Sequence, residues 1–154
     1  TTLELEFGAG AASVDGIYQF TIWDQDPFTE AVFASGSEMV VADGLVIEIL
    51  GTYMNFQKLN AQQDDYACPV IWGWGWDLPL TGVAVDDFAS GYTYTEDHRY
   101  YPEGGEFSWT LTLTFDDNVG FSGTIDAVGA GFSGNDAGCN GAFPQLQVFG
   151  GKAN

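Results

Sequence analysis

The run Glu106-Phe107-Ser108-Trp109-Thr110-Leu111-Thr112-Leu113-Thr114-Phe115 alternates without a break. Successive side chains on a strand point to opposite faces. Phe107, Trp109, Leu111, Leu113 and Phe115 therefore share one face, and the serine and threonines share the other. This is the pattern of a half-buried strand, with one row for a core and a hydroxyl row for solvent or a partner. Asp116-Asp117-Asn118 then reads as a turn, and 119–126 as the returning strand.

The same grammar recurs outward from this run. Asp43-Gly44 sits between the apolar runs Glu38–Ala42 and Leu45–Leu50. Asp-Gly in that setting is a strong hairpin signal, because a type I′ turn needs positive φ at both central residues. Ile17–Trp23, 51–59, Tyr92–Thr95 and Gln145–Phe149 read as further short strands. Residues 28–35 are the one stretch with a helical look, too short for more than a single short helix. No heptad and no internal repeat is present. Many short strands with Gly and Pro turns point to an all-β domain over 1–154, an antiparallel β-sandwich or jelly roll. A closed barrel is the alternative.

Composition narrows the function. The chain has 22 Asp plus Glu against three Lys plus Arg, a formal net charge of −19. Three cations cannot displace counterions from phosphate, so nucleic acid is excluded as a partner, as are anionic membrane surfaces. No run approaches the roughly 20 apolar residues of a membrane span. Cys68 and Cys139 fit no zinc spacing and, with His98 the single histidine, supply too few ligands. One disulfide is expected, constraining the unfolded chain by roughly 3–5 kcal/mol, which implies an oxidising, extracellular setting. The start at Thr1, without an initiator Met, reads as a processed chain.

An enzyme is not expected. There is no nucleophile elbow and no phosphate loop. His98 lies in a Tyr-rich loop as an ordinary surface residue, and Glu106 with Asp126 is one chance carboxylate pair among many.

Two functional readings remain. The first is a secreted subunit of an extracellular filament or layer, a homopolymer. Thr1–Phe7 puts Leu3, Leu5 and Phe7 on one face, ahead of a Gly-Ala-Gly-Ala-Ala hinge. Such a strand can leave its own domain and complete a neighbour's sheet. Head-to-tail donation is heterologous and yields open filaments. The Asp residues at strand ends and turns, Asp24 with Asp26, Asp64-Asp65, Asp86-Asp87 and Asp116-Asp117, are candidate Ca2+ ligands, since calcium takes several carboxylate and carbonyl oxygens. The second reading is a module that binds neutral polysaccharide. Ile71-Trp72-Gly73-Trp74-Gly75-Trp76-Asp77 would set Trp72, Trp74 and Trp76 in one indole row, with Tyr92 and Tyr94 as a second aromatic alternation. Such rings form either a core strand or an exposed platform for sugars.

Overall fold

The hydroxyl-faced run forms β7 (Glu106–Asp116), and its return forms β8 (Gly120–Ala130), paired over their full length from Glu106↔Ala130 to Asp116↔Gly120. The computed structural model describes residues 14–25, 32–50, 54–68, 71–73, 80–95, 105–116 and 120–153. The other strands are β1 (Gly16–Gln25), β2 (Val32–Ala42), β3 (Leu45–Leu50), β4 (Met54–Phe56), β5 (Ile71–Gly73), β6 (Tyr92–Thr95), β9 (Gly141–Ala142) and β10 (Leu146–Lys152). One sheet runs in the order β3-β2-β1-β10-β8-β7-β6, with β9 added beside β8; β4 and β5 form a separate two-stranded sheet. Every pairing between these strands is antiparallel.

The all-β expectation holds. The main strands, however, lie in one curled sheet rather than in two facing sheets of similar size. The β1–β10 ladder is the reason. It joins the early meander of β1 to β3 to the late strands, from Tyr18↔Lys152 to Trp23↔Gln147. Curl follows from the chain's own reach. Seven strands laid flat would hold their edges about 29 Å apart, at about 4.8 Å per step. Yet Val85 donates its N–H to the carbonyl of Gly44, next to β3, and only seven residues later Tyr92 begins β6 at the other edge. Those residues include a 3-10 turn, Val85–Phe88. They span roughly 18 Å at about 2.0 Å per residue in the turn and about 3.3 Å elsewhere. The edges are therefore drawn together, and residues 80–91 act as a strap between them.

Local chemistry sets the hairpin as expected. Asp43 (φ 54°) and Gly44 (φ 73°) both occupy the left-handed region. The buried Asp15 carboxylate accepts both of their N–H groups, at 2.9 and 2.8 Å. The helical expectation fails where it can be read. Val32–Ser35 belong to β2, paired with β1 from Gln25↔Val32 to Ile22↔Ser35. A one-turn helix has little stability of its own, so a long ladder wins. Two 3-10 turns, Val85–Phe88 and Gly134–Cys139, lie wholly within the described residues.

The concave face is the core. Tyr18, Phe20 and Ile22 of β1, Met39 and Val41 of β2, Phe107, Trp109, Leu111 and Leu113 of β7, and Leu146 and Val148 of β10 point into it. It is closed over by Phe56, Leu80, Phe88, Phe132 and Phe143. Phe107 is wedged between Phe56 and Phe143, with ring centroids 4.9 and 5.3 Å away. Cys68 and Cys139 are joined as a disulfide in this layer, both buried, with Cα atoms 4.7 Å apart. The bond ties the Leu59↔Tyr66 hairpin to the Gly134–Cys139 turn. Contact there is close: a Cβ on Gly138 would stand 1.7 Å from the carbonyl oxygen of Ala67.

Candidate functional site

Two surfaces remain after the core is filled: the sheet's edges and its convex face. At the first edge, the start of β3 is covered by the strap. Val46 donates to Val83 at 2.9 Å and accepts from Gly82 at 2.7 Å. At the other edge, β6 is only four residues long and covers Ser108–Leu111 of β7. From Thr112 to Asp116 that side of β7 has no strand partner among the described residues, although its other side is fully paired with β8. An edge stretch of this kind is a template for another strand.

The convex face is set by register. Trp23 of β1 lies opposite Gln147 of β10, which lies opposite Thr124 of β8, which lies opposite Thr112 of β7. The adjoining row is Thr21, Phe149, Ser122 and Thr114. These rows alternate with core residues on each strand, so they all face outward. Trp23 is 45% and Phe149 51% exposed. Gln147 donates to the Gln145 side chain at 3.0 Å, and Gln145 donates to an Asp126 carboxylate oxygen at 2.9 Å. Farther along, Thr93 and Thr110 share a hydroxyl hydrogen bond of 2.7 Å. A shallow cleft of about 440 Å3 opens beside Phe149, lined by Thr114, Asp116, Gly120, Ser122 and Gly151 among others.

Several residues singled out from sequence fall elsewhere. Tyr92 and Tyr94 of β6 are half-buried and turn onto the core side, Tyr92 against Phe88 (5.9 Å) and Tyr94 against Trp109 (5.5 Å). Trp72 is placed on β5 opposite Asn55. Trp74 and Trp76 lie outside the described residues, as do Leu3, Leu5 and Phe7 of the assembly strand, and Asp26 and Asp117. Asp24 lies on β1 opposite Phe33. Asp64 and Asp65 serve their own loop: Asn60 donates to Asp64 at 2.8 Å, and the Tyr66 N–H to Asp65 at 2.8 Å. Asp86 and Asp87 are exposed in the first turn of a 3-10 segment, and Asp116 is exposed at the end of β7. Among the described residues, no three His, Cys, Asp or Glu side chains gather as a metal site. Among the same residues, no helix is long and apolar enough to cross a membrane.

Trp23 and Phe149 were the residues that sequence reading passed over. The signal was there: each is an aromatic standing in the polar register of its strand, beside Gln19 and Thr21 or Gln145 and Gln147. No known protein family, curated protein or solved structure matches this chain.

Proposed function

We propose that the chain is a subunit of an extracellular filament or layer, in which each copy adds a strand to the sheet of the next. The observation that carries this reading is the edge of β7 from Thr112 to Asp116, which has no strand partner among the described residues. Along that edge Leu113 and Phe115 face the core side, Leu113 buried and Phe115 only partly so. An incoming strand that alternates apolar and polar residues would extend the ladder and cover Phe115 together. Thr1–Phe7 has that alternation and a suitable length. Main-chain hydrogen bonds supply affinity in such strand addition, and the alternate side chains set register. Donation from copy to copy is heterologous and propagates as an open chain. The disulfide fits a secreted protein, since such bonds persist in oxidising surroundings. Calcium enters as a stabiliser of the assembly, bridging turn acids of adjoining copies, because the chain carries −19 and like charges must be brought together.

The test is negative-stain electron microscopy with light scattering on three forms: the full chain, residues 8–154, and the full chain carrying Leu5→Asp. Long polymers of the full chain, monomers of the other two, and a rise in the melting temperature of 8–154 when a 1–7 peptide is added would support the reading. A full chain that stays monomeric at every concentration, or a Leu5→Asp variant that polymerises as well as the native chain, would refute it.

A further inference from the structure

The convex face has no part in strand addition, and its chemistry is unlike an ordinary solvated sheet. Two rings stand out from it, Trp23 and Phe149, on the neighbouring strands β1 and β10. They are diagonal neighbours, because Trp23 opposes Gln147 while Phe149 opposes Thr21. Diagonal positions on adjacent strands are about 7–8 Å apart, within reach of one extended ligand. The positions around them are hydroxyls and amides. None of the chain's Lys or Arg lies in the rows Trp23-Gln147-Thr124-Thr112 or Thr21-Phe149-Ser122-Thr114.

We infer that this face is a binding track for a neutral saccharide chain, running from Trp23 over Phe149 into the cleft beside Asp116. A pyranose presents a face of C–H groups and a rim of hydroxyls. The indole and phenyl rings suit the first, and the amide and threonine side chains suit the second. Gln147 is held for that task. Its amide nitrogen donates to Gln145, itself anchored on Asp126, which leaves the carbonyl oxygen of Gln147 as an acceptor at the position paired with Trp23. The cleft of about 440 Å3 falls within the usual range of small-molecule sites and presents two hydroxyls and a carboxylate beside the Phe149 ring.

Charge and polarity select the ligand. The Asp116 and Asp126 carboxylates and the overall −19 oppose sulfated or uronate chains. A wholly apolar ligand would strip water from the threonine, serine and glutamine groups and leave them unpaired. A second copy of the chain would bring an equal negative charge against the carboxylates at the rim.

The experiment is calorimetric titration of the full chain with cellohexaose, xylohexaose, mannohexaose and laminarihexaose, with a heparin oligosaccharide as the anionic control. Light scattering records the assembly state of each sample, and circular dichroism its folding. At least one neutral hexasaccharide binds with a dissociation constant below about 1 mM; heparin does not bind. Trp23→Ala lowers that affinity tenfold or more and Gln147→Ala about fivefold, as expected for a hot-spot ring and its polar neighbour. Ile47→Ser, at an exposed position of β3 off this track, changes nothing. The proposal is overturned if none of the four neutral probes binds, or if Trp23→Ala binds as well as the native chain. It is also overturned if Trp23→Ala abolishes polymers while leaving saccharide affinity intact, which would make the face a contact between copies.

Discussion

Replacing both Cys68 and Cys139 by alanine tests the link between the curled sheet and the layer that closes it. The bond spans a sequence separation of 71 residues. In the chain-entropy treatment, a loop of that length removes about 15 cal/mol/K from the unfolded chain, or about 4.4 kcal/mol at 25 °C. Alanine introduces no polar atom at these buried positions, and any cavity left by the two sulfurs adds to the loss. For a chain of this size, a loss of about 4.4 kcal/mol lowers the melting temperature by about 9–18 °C. Urea unfolding separates the two possible origins of such a loss. If the bond acts on the unfolded state, the double variant unfolds with a larger m-value, because its denatured chain exposes more surface. Reduction of the native protein by dithiothreitol should reproduce the variant. A loss below about 1 kcal/mol with an unchanged m-value would refute the reasoning, since the bond would then do little to the denatured chain.

Gly123→Ala should cost about 3 kcal/mol by urea unfolding, because the added Cβ would stand 1.8 Å from the carbonyl oxygen of Thr112, and a backbone ladder yields poorly to overpacking. Gly82→Ala should cost only about 1 kcal/mol, the strain of its positive φ, because nothing lies within 4 Å of the new methyl; equal losses would contradict both estimates. Lys58 donates to the carbonyl of Asn140 and lies 5.1 Å from the Phe143 ring, and burial lowers its pKa from the ordinary 10.5. The unfolded chain then holds that proton more tightly, so the stability of the native protein relative to Lys58→Met should rise with pH from the lowered value toward 10.5; a flat or falling difference would count against it. For calcium, residues 8–154 should melt at the same temperature in EDTA and in excess Ca2+, because the described acid pairs stand apart within one chain, whereas full-length polymers should loosen in EDTA. A calcium-dependent melting shift in the monomer would place a complete site within a single copy.

Different elements were legible to different degrees. The Asp43-Gly44 hairpin could be read directly, because the φ requirement of its turn is local and few residues meet it. β7 was equally plain, since its five apolar residues at period two admit one assignment. The disulfide could be read from the count of cysteines and the absence of other ligands. Val32–Ser35 could not be read. Its propensity allowed a helical turn, and only the ladder with β1 made it a strand. The facing of Tyr92 and Tyr94 could not be read for a related reason. Tyr92 and Tyr94 alternate with threonines, so sequence alone says that they share a face but not which face. The pairing of Tyr94 opposite the buried Trp109 turned them inward.

By itself, the sequence determined the all-β class, the position of its sharpest turn, the partition of each strong strand into two rows, and a formal net charge of −19. These follow from stereochemistry and charge, which act within a few residues or over the whole chain regardless of path. Tertiary structure alone decided that the main strands form one curled sheet, that β6 pairs with only Ser108–Leu111 of β7, and that Trp23 stands beside Gln147. Each of these depends on which strands become neighbours. That choice is made by burying the rows of distant strands together, as β1 and β10 do, and no local window of sequence contains both partners.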